Sequence, residues 1–132
     1  MVSEAWRQEY NTGHYRLATE LLQPITDSDD AESLLALGTM YLYGMHFFDS
    51  EADYIRFMQC TPADQQRTFW ETTEETRLRG LLLLEQASQK GNWAASQNLA
   101  TYYSGIVKQL PEQERLTKAR YYYDLVDQQR TT

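Results

Sequence analysis

One cysteine, Cys60, in 132 residues leaves the chain without an internal disulfide. The fold must rest on an apolar core, which a chain of this length can bury as a single domain, residues 1–132, without metal or disulfide staples. Proline is scarce at three residues, and β-branched residues are few beside abundant Leu, Ala, Gln and Glu, so helix is favoured. No alternating segment is long enough for a strand, and IVKQL at 106–110 reads as a loop. The apolar run ESLLALGTMYLYG at 32–44 falls far short of the ~20 residues that cross a bilayer, so it is expected to be a buried element of a soluble domain. Residues 1–13 are polar and aromatic, with no basic stretch leading into an apolar one. No secretory signal is expected there, and the expected location is the cytoplasm.

Positive charge is also short. Twelve Lys and Arg face 19 Asp and Glu, a net charge of −7, and the imbalance is uneven. Residues 1–44 hold seven acids against Arg7 and Arg16, and residues 45–76 hold seven more against Arg56 and Arg67, each a balance of −5. The remainder carries +3. Over its N-terminal part such a chain repels nucleic acid and anionic membranes, and a charged partner meeting it there is expected to be basic. The alternative is that these acids serve only solubility.

What is present is a folded, aromatic-rich chain, 42% hydrophobic with ten Tyr and three Trp. Helix punctuation divides it into about six or seven helices. Pro24 and the run Asp27–Asp30 interrupt one periodic segment, and Asp29 with Glu32 has the spacing of a capping box. Thr61-Pro62, Gly91-Asn92 and Pro111 followed by Glu112 and Glu114 mark further boundaries.

The punctuation is repetitive. Leu37, Tyr41 and Gly44 reproduce the spacing of Trp6, Tyr10 and Gly13 at a displacement of 31 residues. A third copy runs through Leu99 and Tyr103, with Gly105 one position early and Ala100 where Gly38 stood. A second pattern aligns RLATELLQPI, RGLLLLEQAS and KARYYYDLVD on the small residues Ala18, Gly80 and Ala119, in register with the first. Small residues at these positions let neighbouring helices approach closely, and each terminal glycine is expected to supply a left-handed stop. The expected architecture is all-α, a short α-solenoid of stacked antiparallel helical hairpins.

These segments resemble the Sel-like subclass of tetratricopeptide repeats, matching its Leu-Gly, Tyr and Gly positions at Leu37-Gly38, Tyr41 and Gly44, and at Leu99-Ala100, Tyr103 and Gly105. The resemblance covers residues 5–44 and 77–128. It implies a protein-binding scaffold, with no catalytic residue, cofactor or metal.

The departure lies at 45–72, an insertion of about 26 residues where the resemblance implies a short loop. Two short helices are expected there, capped by Ser50 with Asp53 and by Thr61 with Asp64, with Tyr54, Ile55, Phe57 and Met58 on one side and Phe69-Trp70 closing the other end. The aromatics either cover the repeat stack or, with Phe47, Phe48, Tyr54, Phe57 and Trp70 as anchors, form a patch rimmed by Asp49, Glu51, Asp53, Glu71, Glu74 and Glu75 that fits a basic protein.

Catalytic readings are weaker. Asp49, Glu51 and Asp53 follow the order of a calcium loop, but Tyr54 replaces the required Gly and Cys60 the bidentate Glu. His46 lies near these acids in sequence and is a candidate ligand or base, while His14 reads as a turn residue and Cys60 as a buried thiol. Tyr121 to Tyr123 read as helix packing rather than base stacking. No phosphate loop, nucleophile elbow or zinc spacing occurs. The favoured expectation is a small stoichiometric binding partner or inhibitor of a basic protein, like an immunity protein facing a toxin. The alternatives are an adaptor or chaperone-like scaffold and a small-molecule binder or enzyme using His46 and the insertion acids.

Overall fold

The computed structural model describes residues 5–25, 30–105 and 110–131, and every regular element among them is helical. Eight α-helices form: α1 (Ala5–Asn11), α2 (Tyr15–Leu22), α3 (Ala31–Tyr43), α4 (Glu51–Cys60), α5 (Ala63–Thr72), α6 (Glu74–Gln89), α7 (Trp93–Ser104) and α8 (Glu112–Arg130). Short 3-10 turns follow α2 and α3. The count among the described residues exceeds the six or seven expected.

Several boundaries fall where the side chains dictate. Asp30 caps α3, its carboxylate accepting from the Glu32 amide at 3.1 Å. Asp29, the residue expected there, lies outside the described residues, as does most of the 106–110 segment. Ser50 accepts from the Asp53 amide to open α4, and Asn92 accepts from the Ala95 amide to open α7. Gly13, Gly44 and Gly91 all have positive φ, which ends α1, α3 and α6 in the left-handed conformation that costs glycine least.

Two boundaries differ from expectation. Thr61 does not cap α5. It ends α4, and Pro62 stands before Ala63 with no side-chain bond. The carbonyls left over at that corner are met instead by Gln66, whose amide donates to Met58 O at 3.0 Å and Thr61 O at 2.9 Å. Gly105, at φ −81° and ψ −171°, is extended and not left-handed as expected.

The insertion does not prevent α3 from pairing with α6. A Cβ added at Gly80 would lie 2.6 Å from the Leu42 amide nitrogen and 2.7 Å from Gly38 O, and one at Gly38 would lie 3.0 Å from Gly80 O. The two glycines therefore form a backbone-to-backbone crossing. Leu42 lies beside Gly80 while Gly38 lies beside Leu84, so the helices run in opposite directions. Helices α1 and α2 pack across the Gly13 turn, and α7 packs on α8 with Tyr103 O near Arg115 at one end and Ser96 near Gln129 at the other.

The core falls into two clusters that meet at α3. One holds Trp6, Tyr15, Ala18, Leu22, Leu37, Met40 and Tyr41; the other holds Leu34, Leu42, Leu84, Leu99, Tyr103 and Ala119. Helix α3 contributes to both, which is why residues 32–44 are apolar all round. Of the residues aligned by the sequence spacing, Trp6, Ala18, Leu37, Tyr41, Leu99, Ala100, Tyr103 and Ala119 are all buried, and Tyr10 is half-buried. A polar tie joins the last three helices: Ser88 and Ser96 share a hydroxyl bond of 2.6 Å, and Gln129 reaches both, to Ser96 Oγ at 2.7 Å and Ser88 O at 2.9 Å.

Tyrosine burial makes the fold sensitive to alkali. Burial, then the nearby Glu85 charge, pushes both Tyr103 and Tyr122 up to about 12, and burial raises Tyr10, Tyr15, Tyr43, Tyr54 and Tyr102 as well. A raised folded pKa favours the neutral phenol. Its stabilisation is complete below the ordinary value of 10 and is lost as pH rises from there through about 12. Phenolate absorbance is expected to lag a free-tyrosine titration and then to rise together with loss of helical circular dichroism. Simple titration near pH 10 with helix intact would be the opposite result.

Candidate functional site

The insertion is anchored by residues far away in sequence. Arg16 on α2 donates to Phe47 O at 2.6 Å and pairs with Asp49 at 3.3 Å, and its amide donates to Phe48 O at 3.1 Å. Glu51, at the start of α4, packs against Gly13, where an added Cβ would come within 2.7 Å of the Glu51 Cβ. Gly13 thus ends α1 and also seats the insertion. From the other end, Arg77 on α6 donates to Trp70 O at 2.6 Å.

The insertion aromatics build a small core of their own. Phe48 lies at its centre, with ring centroids 5.4 Å from Tyr54, 5.3 Å from Phe57 and 6.0 Å from Phe69. Phe69 continues to Phe57 at 4.8 Å and Trp70 at 5.0 Å. It also closes over Gly44, where a side chain would meet its ring at 3.0 Å. Tyr54 donates to Tyr43 O at 3.1 Å and touches Tyr15 edge-on. Phe48, Tyr54, Phe57 and Trp70 are half-buried by these contacts and hold α4 and α5 against the rest of the chain. Phe47 remains exposed, at 38%. Ile55, expected on the inner side with Tyr54, points out instead at 41% exposure, because Tyr54, Phe57 and Met58 fill the inner arc of α4.

The acids divide in the same way. Asp49 is paired with Arg16 and Asp53 with Arg56, each at 3.3 Å. Glu71, Glu74 and Glu75 are exposed across the α5–α6 corner, with Glu74 and Glu75 in the first turn of α6 where the helix dipole favours negative charge. Among the described residues neither Glu71 nor Glu75 forms an ion pair. Asp64, in the first turn of α5, is exposed as well. Among the described residues the exposed acids without an ion pair therefore include Asp64, Glu71 and Glu75 on α5 and the start of α6, and Glu51 at the start of α4.

His46 is placed among aromatic rings. Its ring sits 4.8 Å from Tyr41 and 4.0 Å from Phe47, and Nδ1 is 3.4 Å from Met40 O. It forms no pair with a carboxylate among the described residues; the charged group acting on it is Arg16. Burial lowers its pKa, the Met40 carbonyl opposes that shift, and Arg16 adds to it. A depressed folded pKa means that the neutral ring stabilises the fold above its ordinary value of 6.5, and that this is lost as pH falls through the folded value. The melting temperature is expected to fall between about pH 7 and pH 5, with a shallower slope in His46→Gln. Equal slopes would remove His46 from the account.

The other chemically active side chains are dispersed. His14 bonds Glu9 at 2.7 Å in the exposed Gly13 turn. Cys60 is exposed rather than buried, at the last position of α4. Among the described residues no three His, Cys, Asp or Glu side chains gather as metal ligands, and no helix is long and apolar enough to cross a membrane. Sequence reasoning missed Arg16 and Arg77. Both act on backbone carbonyls of the insertion, and no local spacing signals such a contact. Set against protein-family models, curated proteins and solved structures, the chain matches none of them.

Proposed function

We propose that this chain is a small protein-binding module of the Sel-like kind, a short α-solenoid whose interrupted repeat presents an acidic edge to a basic protein. The repeat reading is supported by the Gly38–Gly80 crossing of α3 and α6, and by buried Ala100 and Ala119 at the corresponding positions of α7 and α8. The binding reading rests chiefly on one observation. The insertion turns most of its aromatics inward and leaves Phe47, Glu71 and Glu75 facing solvent, the acids without ion-pair partners among the described residues. Phe47 offers an apolar contact beside Phe69 and His46, and the exposed acids of the α5–α6 corner favour a partner of opposite sign. Stoichiometric masking of a basic toxin or enzyme is the form of binding that a net charge of −7 favours.

A scaffold serving several partners is the second reading. It is favoured by a cleft of about 320 Å³ between α1, α3 and α7, walled by Trp6, Tyr10, Leu35 and Trp93. Affinity capture from native host cells separates the two. The inhibitor reading expects one basic protein in equimolar amount, released by high salt. Several unrelated proteins, or capture insensitive to salt, would favour the scaffold.

A further inference from the structure

A second site borders the α5–α6 corner, where α6, α7 and α8 with Leu110 line a cavity of about 180 Å³. Its walls are apolar, formed by Leu78, Leu81 and Leu110 together with the rings of Tyr102 and Tyr103. Two cations line it. Lys118 places its ammonium 5.6 Å from the centre of the Tyr103 ring, and Arg77 enters from α6. The Arg77 guanidinium spends one amino group on Trp70 O, and its Nε is buried with no hydrogen-bond partner. Neither cation forms an ion pair with a carboxylate among the described residues. Glu74 lines the same cavity, so its titratable lining carries two positive charges and one negative. Two cations without ion-pair partners among the described residues thus stand beside an apolar cavity.

We propose that this cavity binds a small apolar carboxylate, its hydrocarbon part seated on Leu78 and Leu81 and its carboxylate held by Lys118 and Arg77. The volume is below the ~300 Å³ of ordinary drug-sized sites and suits a group the size of one side chain. Burial keeps the Tyr102 and Tyr103 phenols neutral, so neither ring repels an anion in the cavity. Two sources share this chemistry, a free organic acid and the carboxy-terminus of a polypeptide ending in an apolar residue. The inference does not depend on the insertion's role.

Amide NMR titration of the full chain tests it with hydrocinnamate, its uncharged amide, and an acetylated peptide ending in phenylalanine as the free acid or the amide. A carboxylate probe is expected to shift signals from 74–81, 102–103 and 118, and to bind about tenfold or more tightly than its amide. Lys118→Gln should weaken it by a similar factor, and Leu78→Asp should abolish it. Both positions have solvent-accessible side chains, and unchanged circular dichroism confirms that each variant is folded. Tighter binding of hydrocinnamate assigns a free acid; tighter binding of the peptide assigns a polypeptide terminus. Equal affinity for acid and amide overturns the proposal, as do shifts centred elsewhere or no binding of either carboxylate at about 10 mM.

Discussion

Gly80→Ala is expected to destabilise the fold by about 1–2 kcal/mol, although alanine is the better helix former by about 1 kcal/mol. The reason is what the new methyl meets. At 2.6 Å from the Leu42 amide nitrogen and 2.7 Å from Gly38 O it would strike backbone, which has no rotamer by which to move aside. Overpacking of this kind typically costs about 1–3 kcal/mol, enough to outweigh the propensity gain. A leucine at the same position forces α3 and α6 fully apart and is expected to leave no cooperative unfolding transition. Gly105→Ala provides the contrast. Its φ is ordinary and the nearest atom to an added Cβ lies 3.6 Å away, so it should be neutral or slightly stabilising. Urea melts of both variants decide the matter. If Gly80→Ala is as stable as Gly105→Ala, the α3–α6 crossing does not exist as described.

The second large effect is expected in binding. Glu71→Lys with Glu75→Lys should weaken the basic partner by about tenfold to a hundredfold, chiefly by slowing association, and should reduce the dependence on salt. The same pair should leave the melting temperature almost unchanged, because both side chains are exposed and neither forms an ion pair among the described residues. Phe47→Ala is expected to raise the dissociation rate instead, as loss of an apolar anchor does. Asp49→Asn serves as the internal comparison. Its carboxylate is already engaged by Arg16, so its removal should loosen the insertion more than it affects a partner. Affinity unchanged by the double reversal would take the α5–α6 corner out of the interface.

The legible and illegible parts of this chain divide by range. Caps such as Ser50 and Asn92, and the glycine stops at 13, 44 and 91, are local chemistry and can be read from a few adjacent residues. The small residues at 38 and 80 were legible for a different reason. Two patterns in one register implied a helix crossing, and both glycines lie in it. Range defeats the reading inside the insertion. Arg16 reaches Phe47 across 31 positions, and Glu51 rests on Gly13 across a similar span, so neither contact leaves a spacing to find. Helical spacing along α4 correctly grouped Tyr54, Phe57 and Met58 but misplaced Ile55, because the buried arc of this ten-residue helix is narrow, and the reading of Cys60 as a buried thiol had no local spacing behind it. The acids were visible as a total. Asp53 and Arg56 pair locally, three positions apart on α4, whereas the cancellation of Asp49 by Arg16 depends on the fold.

Hydrogen exchange on the complex with the captured basic partner tests the central claim most directly. Slowed exchange is expected across 45–75, strongest at the α5–α6 corner, with little change in α1 or α7. Protection confined to the cleft between α1, α3 and α7, with 45–75 exchanging as in the free chain, would contradict it.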